Sequence, residues 1–195
     1  MITNHTQLLN ALIEKYGLKS YLEIGVQNPA NNFDLIKCEW KLGVDSDPFI
    51  LGNIIKLKSD DFFKEYHTRL TFDLIFIDGL HHADQVKRDF ENSLRCLSDH
   101  GFIVIHDVLP ENEAGTIVPR ETKVWWGDVY KFAMTLDDYD GVAWKTFNID
   151  NGCMLVWKEP DAKSSRGVYG IDYFNWQNYK MYGHHAMNVT NEVTI

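Results

Sequence analysis

The stretch DLIFID at residues 73–78 decides the fold, because it is almost continuously apolar between two aspartates. A strand that is buried on both faces of a parallel sheet requires such a run, whereas a half-exposed strand alternates apolar and polar side chains. The stretch FIVIHD at residues 102–107 has the same character and also ends in an acidic residue. The two stretches predict central strands of a parallel sheet with helices on both faces.

Helical and strand-like segments alternate around these two strands. Apolar residues recur at helical spacing from Leu8 to Ile13, after a cap at Thr3 or Asn4, and Gly17 ends this first helix. A second helix begins at Ser59, and a third shows an apolar face on residues 86–94. The other segments predict strands at 21–25, 41–45 and 54–57, helices around 33–37 and 127–136, and a turn at 98–101.

The last two predicted strands, 142–149 and 153–158, are separated only by Asp150-Asn151-Gly152. Such a short connection forces a hairpin, so an antiparallel pair closes the otherwise parallel sheet. We expect one domain over residues 1–159 and an aromatic-rich extension over residues 160–195. The extension can cover the site, pack on the domain or form a homo-oligomer through its rings, which are Tyr169, Tyr173, Phe174, Trp176, Tyr179 and Tyr182.

Composition excludes several classes of partner. The 195 residues carry a formal net charge of -9, and the 19 Lys and Arg residues are scattered, so nucleic acids and anionic membranes would be repelled. No apolar run approaches a membrane span, and the N-terminus lacks an export signal. The three widely spaced cysteines are typical of reduced thiols, and we expect a cytoplasmic protein.

Acidic residues end four of the predicted parallel strands. In open parallel sheets, ligands bind beyond the carboxyl ends of the strands, so these side chains are expected to line one crevice. A carboxylate about twenty residues after the first strand commonly accepts the hydroxyls of a ribose. The glycine that follows the first strand allows the backbone to approach a ligand closely. The four acidic residues are Glu23, Asp45, Asp78 and Asp107.

Four motifs resemble one family. They are FIDGLHH at residues 76–82, IVIHD at 103–107, WGDVYK at 126–131 and Asn151-Gly152-Cys153. Over residues 18–158 the chain resembles the class I S-adenosylmethionine-dependent methyltransferases, in particular a small bacterial and viral group. The resemblance implies an α/β, doubly wound Rossmann-like fold with a seven-stranded sheet of order 3-2-1-4-5-7-6. It also implies that the enzyme methylates an oxygen of a small hydroxylated acceptor such as a sugar.

The resemblance assigns roles to particular residues. Glu23 and Gly25 would lie by the methionine portion of S-adenosylmethionine, Asp45 on the ribose, and Ser59 with Asp60 near the adenine. The full set of expected cofactor-binding residues is Glu23, Gly25, Val26, Asn28, Asn31, Asp45, Ser46, Ser59, Asp60 and Asp78.

Methylation of a hydroxyl requires that the acceptor lose its proton, which makes His81, His82 and Asp107 the candidate catalytic residues. The resemblance suggests that Asp78 and Asp107 hold a divalent cation, for which Mg²⁺ suits carboxylate ligands and Mn²⁺ or Zn²⁺ would also accept histidine. A metal-free reaction with His81 or His82 as the general base is the alternative. The sequence leaves both the metal-dependent and the metal-free reaction open.

Two other functions compete with this interpretation. Pro29 stands where the family usually has a glycine, and proline restricts the backbone and removes a hydrogen-bond donor. The chain could therefore be a binding module whose cofactor site has decayed. The third hypothesis is a metal-dependent hydrolase that uses His81, His82, His106 and Asp107.

Overall fold

One mixed β-sheet runs through the protein, whose computed structural model describes residues 1–49, 52–164 and 170–195. Within those residues, the sheet has eight strands in the order β3-β2-β1-β4-β5-β7-β6-β8. The strands are β1 Ser20–Ile24, β2 Trp40–Asp45, β3 Ile54–Lys56, β4 Phe72–Ile77, β5 Leu97–Ile105, β6 Val142–Phe147, β7 Cys153–Lys158 and β8 Val189–Thr190. The order predicted for the first seven strands is confirmed.

Helices cover both faces of this sheet. The main ones are α1 His5–Tyr16, α2 Ser59–Tyr66, α3 Ala83–Cys96 and α4 Val129–Ala133, and two short ones follow, α5 Trp176–Asn178 and α6 His184–Ala186. Asn4 caps α1 by accepting from the Gln7 amide, and Gly17 ends it at a φ of 63°. The α1 face and the α2, α3 and α4 face each have their own apolar core.

The central strands are buried as their apolar runs predict. Leu74 and Ile75 on β4 are both 0% exposed. β1 and β4 are parallel, with Ile24 opposite Ile77, whereas β5 and β7 are antiparallel. All parallel strands from β3 to β5 therefore end at the same edge of the sheet, which is where a ligand would bind.

Several local predictions were wrong. Residues 98–101 do not form a turn but belong to β5, which begins at Leu97 opposite Phe72 and passes an irregularity in register. The segment around 33–37 forms only short 3₁₀ turns at Pro29–Asn31 and Phe33–Leu35, and the helix expected at 127–136 is reduced to α4 and a 3₁₀ turn at Leu136–Asp138. These segments are fixed by tertiary contacts more than by their own helical propensity.

The C-terminal residues 170–195 pack on the domain and add a strand that was not predicted. β8 has only two residues and pairs in parallel with β6, where Phe147 lies opposite Thr190. Such a strand is too short to show a periodic pattern. Phe174 and Tyr179 are buried, and the Tyr179 hydroxyl donates to the Pro110 carbonyl at 3.2 Å. Tyr169 lies outside the described residues. Among the described helices, none has the length and apolar character needed to cross a membrane.

Candidate active site

A cavity of about 1040 Å³ opens at the carboxyl ends of β1 to β5. The structure brings most of the predicted site residues to its wall. Those residues are Glu23, Gly25, Val26, Asn31, Asp45, Ser46, Ser59, Asp60, Asp78, His81 and Asp107. The expectation of one crevice at the strand ends therefore agrees with the geometry.

Two predicted site residues do not line the cavity. The Asn28 side chain accepts from the Ala30 amide at 3.2 Å and so caps the first 3₁₀ turn, in which Pro29 occupies the first position and is buried. His82 precedes α3, and its carbonyl accepts from the amides of Gln85 and Val86. Both residues serve local backbone structure. The absence of His82 from the cavity wall also weakens the hydrolase hypothesis, which uses His81, His82 and His106 together.

The ends of β1 and β4 meet tightly at Gly25. Its φ is +89°, and a Cβ atom there would lie 2.2 Å from the Asp78 carbonyl oxygen. Only glycine accepts both the backbone conformation and the close approach. This close approach joins the two strand ends and places Glu23 and Asp78 in the same wall of the cavity.

Glu23 is a buried carboxyl in a hydrogen-bonded network. Its Oε2 accepts from the Tyr21 hydroxyl at 2.5 Å and from the Asn32 amide at 2.8 Å, and the residue is only 2% exposed. Burial raises the pKa of Glu23 to about 8, against the effect of the Tyr21 hydrogen bond. The group therefore carries a proton at neutral pH unless a cation binds beside it.

The wall at β2 and α2, at the end of the cavity away from β4 and β5, offers polar groups to a ligand. The Asp45 oxygens accept from the amides of Gln27 and Asp47, each at 2.7 Å, so this carboxylate also orders the loop around it. Asp60 pairs with Arg88 at 3.3 Å. The carboxylates of this wall can accept hydrogen bonds from the hydroxyl and amino groups of a nucleoside.

A cluster of two carboxylates and two histidines lies beyond β4 and β5. His81 Nε2 is 3.3 Å and His106 Nδ1 is 3.2 Å from Asp78 Oδ1, while His81 Nδ1 is 3.4 Å from Asp107 Oδ2. Asp107 has a φ of 58°, an uncommon conformation for a residue other than glycine. Backbone strain of this kind is concentrated at functional sites.

The charges in the cluster shift one another. Burial alone would lower the pKa of His106, but the Asp78 carboxylate outweighs it and raises that pKa to about 10. Burial raises the pKa of Asp78, but the two histidines outweigh burial and hold it below its usual value. Burial also raises the pKa of Asp107. His106 and Asp78 therefore form an ion pair, and His81 lies between Asp78 and Asp107.

The structure adds two residues that sequence reasoning missed. His5 Nδ1 lies 2.5 Å from Asp150 Oδ2, and the His5 amide donates to the same oxygen at 3.0 Å. His106 Nε2 lies 2.7 Å from the Asp150 carbonyl, so His106 bridges Asp150 and Asp78. The only sequence signal was the hairpin at residues 150–152, which predicts a turn and no contact with residue 5.

The loop between β5 and α4 closes the cavity at the cluster. The Trp125 ring stacks on the His81 ring, with 5.4 Å between the ring centroids and 18° between the ring planes. The Trp125 indole N–H donates to the Ile117 carbonyl at 2.7 Å. Trp126 is buried and packs against Gly115, where a Cβ atom would lie 2.3 Å from the ring. One tryptophan therefore anchors the loop and the other forms a wall of the site.

The donor set at Asp78, His81 and Asp107 fits a divalent cation. One potential ligand atom from each of the three lies within 4.8 Å of the others. His81 Nδ1 and Asp107 Oδ1 are buried and lack a hydrogen-bond partner in the described chain. His5, His106 and Asp150 also lie within 4.8 Å of one another, but their atoms already make the hydrogen bonds described above. The first group is therefore the better metal site.

Comparison with known proteins agrees with the geometry. Residues 22–108 match the family model described as "Methyltransferase domain". No curated protein sequence matches the chain. The matched segment runs from within β1 to just beyond β5 and contains both strand-end motifs together with Glu23, Asp45, Asp78 and Asp107.

Solved structures share the fold at low identity. An O-methyltransferase from Bacillus cereus in complex with SAH has a TM-score of 0.63 at 14% identity, covering 79% of this chain and 80% of that one. SAH-bound methyltransferase PaMTH1 from Podospora anserina has a TM-score of 0.59 at 16% identity, covering 79% and 77%. MycE of the mycinamycin pathway, in complex with Mg, SAH and mycinamycin VI, has a TM-score of 0.53 at 16% identity, covering 83% and 50%.

These matches confirm the resemblance to the class I methyltransferases. The chain has the class I methyltransferase fold, and residues 22–108 match the model of a methyltransferase domain.

Proposed function

We propose that this protein is an S-adenosylmethionine-dependent methyltransferase that methylates a hydroxyl group of a small acceptor such as a sugar. One observation supports this proposal above all. The cavity has polar groups that can bind a nucleoside at one end and the cluster of Asp78, His81 and Asp107 at the other. Transfer of a methyl group requires this arrangement, because donor and acceptor must meet in line.

The cofactor would lie along the ends of β1, β2 and β3. Glu23 would face the methionine portion, Asp45 the ribose and Asp60 the adenine, in the order in which β1, β2 and β3 lie in the sheet. The bound cofactor would supply an electrophilic methyl group. Pro29 does not line the cavity and is buried at the first position of a 3₁₀ turn, where proline is tolerated, which supports a working site over a decayed one.

His81 is the residue that we assign as general base. Its imidazole lies between the carboxylates of Asp78 and Asp107, which favour the protonated ring that forms when the acceptor hydroxyl loses its proton. Trp125 holds the ring in place by stacking. His106 is then a positioning residue, because it holds Asp78 while bonded to Asp150.

A divalent cation is part of this proposal. Asp78 and Asp107 would hold it, and it would lower the pKa of the acceptor hydroxyl while His81 stays free to act as the base. The support is the buried Asp107 Oδ1, which has no hydrogen-bond partner in the described chain, together with the Mg in the MycE complex. The metal-free alternative keeps His81 as the base and needs no other change.

The location is proposed from the cysteines. Cys38, Cys96 and Cys153 are all unpaired, and the last two are buried. Reduced thiols of this kind support a cytoplasmic protein.

Calorimetry with S-adenosylhomocysteine tests the proposal directly. We expect binding by the wild type and by His81→Ala, but weaker binding by Asp45→Ala. Release of S-adenosylhomocysteine from S-adenosylmethionine, measured over a panel of free sugars, sugar acids and sugar phosphates, should be lost in His81→Ala and, if a cation is needed, after EDTA. An absence of any heat of binding at high protein concentration would overturn the proposal.

A further inference from the structure

Arg120 stands at the acceptor end of the cavity. It lines the wall next to Trp125, on the loop after β5, whereas the other two permanent cations of the wall, Lys58 and Arg88, lie near β3 and α3. The end near β3 is the one that we assign to the adenine. Arg120 is therefore the cation that an acceptor would meet.

The guanidinium of Arg120 is oriented by contacts within its own loop. Its Nε donates to the Thr122 carbonyl at 2.9 Å, and a terminal nitrogen donates to the Lys123 carbonyl. The guanidinium carbon lies 5.8 Å from the centroid of the Trp125 ring. An arginine that is held in this way loses little freedom when it binds an anion, and its remaining N–H groups can form a two-point contact.

The charge of Arg120 has no partner among residues 1–49, 52–164 and 170–195. Arg88 is paired with Asp60, but Arg120 has no ion pair within the described part of the chain. Six carboxyl side chains line the cavity, and the chain has a formal net charge of -9. A neutral acceptor would need no cation here, whereas an anionic one would be repelled without it.

We propose that Arg120 binds an oxyanion group of the acceptor, a carboxylate or a phosphate, while the reacting hydroxyl lies at His81. Trp125 touches both residues, so the distance from the His81 ring to the guanidinium carbon cannot exceed the sum of the two ring distances given above. A small molecule can span that separation. The acceptor class is thus a hydroxylated acid or a phosphorylated hydroxyl compound. This inference rests on the proposed function for the position of the hydroxyl.

Nuclear magnetic resonance can test the inference with simple probes. Sodium acetate and inorganic phosphate are titrated separately into the full chain saturated with S-adenosylhomocysteine, and the Trp125 indole N–H signal, assigned with Trp125→Phe, is followed. We expect a saturable shift with at least one probe. Arg120→Gln should weaken its affinity at least tenfold, and Arg120→Lys should weaken it less. Lys123→Gln, on the same loop but outside the cavity wall, is the matched control and should change nothing.

The possible outcomes separate the two proposals. An unmoved Trp125 signal with both probes, or equal affinity in Arg120→Gln and wild type, overturns the role of Arg120 and leaves it as a link within its own loop. The preference between acetate and phosphate distinguishes a carboxylic acid from a phosphorylated acceptor. If S-adenosylhomocysteine does not bind, the proposed function fails, and the same titrations of the cofactor-free chain still decide whether Arg120 binds an oxyanion.

Discussion

Single residues of this site take their properties from partners far away in sequence. Asp150 on the hairpin turn contacts His5 at the start of α1, and the His5 hydrogen bond lowers the pKa of Asp150 to about 2. His106 joins this pair to Asp78. A carboxylate and an imidazole that are held in this way need no reorganisation when a ligand arrives.

Glu23 gives a pH-dependent prediction. Its pKa rises from 4.5 in the unfolded chain to about 8 in the folded protein, because burial penalises the charged form. A carboxyl with a raised folded pKa contributes stability below its unfolded pKa, and this contribution is lost as pH rises through the folded value. We expect the Glu23→Gln variant to lose less unfolding free energy than wild type between pH about 6.5 and about 8, by roughly 1–2 kcal/mol.

Urea unfolding at both pH values measures this difference. Asp89→Asn is the matched control, because burial raises the pKa of Asp89 only to about 6 and its ionisation is largely complete below this window. The same pH dependence in Glu23→Gln and wild type would contradict a protonated Glu23.

At the scale of elements, the site depends on how strand ends and loops meet. Gly25 joins the end of β1 to the end of β4. Asp128, at the end of the long loop, accepts from the Ala83 amide at 2.7 Å and so caps α3 in place of His82. The Asp128 amide in turn donates to the His81 carbonyl at 3.2 Å. The loop after β5 therefore fixes the motif that follows β4.

Gly25→Ala and Gly17→Ala form a matched pair that separates backbone strain from close packing. Both glycines have positive φ, but a Cβ atom at Gly17 meets nothing within 4 Å, whereas one at Gly25 meets the Asp78 carbonyl. We expect Gly17→Ala to cost about 1–2 kcal/mol, the strain of the left-handed conformation alone. Gly25→Ala should cost several-fold more, since the strand ends must separate.

Urea unfolding checks both values, and binding of S-adenosylhomocysteine adds a second readout. Gly17→Ala should bind like wild type, and Gly25→Ala should bind weakly or not fold. Equal costs for the two variants would show that the junction of β1 and β4 tolerates a side chain.

At the scale of the whole molecule, the C-terminal residues complete the fold. Tyr179 packs between Trp176, at 5.0 Å, and Tyr130 of α4, at 5.1 Å, and its hydroxyl reaches the start of the long loop at Pro110. The Thr146 hydroxyl on β6 donates to the Met187 carbonyl at 2.7 Å. The tail is thus connected to the site through the loop that carries Arg120 and Trp125.

Two substitutions at Tyr179 measure this connection. Tyr179→Phe keeps the ring and removes the hydrogen bond to Pro110, so we expect a loss of about 1 kcal/mol. Tyr179→Ala leaves a cavity among aromatic rings and should cost about 3–5 kcal/mol. Chemical denaturation gives both numbers. A loss below about 1 kcal/mol for Tyr179→Ala would mean that the tail adds little to the stability of the domain.

Local patterns predicted the elements that are long or strongly apolar. The runs at 73–78 and 102–107 form central strands, and the hairpin at 150–152 gave the antiparallel pair correctly. The four acidic residues predicted at the strand ends all line the cavity. The short helical turns, β8 and the start of β5 could not be predicted, because such segments have too few residues for a period and follow their neighbours.

The sequence by itself determined an α/β fold around a parallel sheet, because burial on both faces of such a sheet leaves a continuous apolar run that ends at the ligand edge. The methyltransferase form of that fold was predicted from the resemblance of the FIDGLHH and IVIHD motifs. Only the tertiary structure decided which polar residues share that edge. It excluded His82 and Asn28, and it added His5, Asp150 and Arg120. The physical reason is that such contacts join segments far apart in the chain, and their geometry is set by packing, which no local pattern of residue types records.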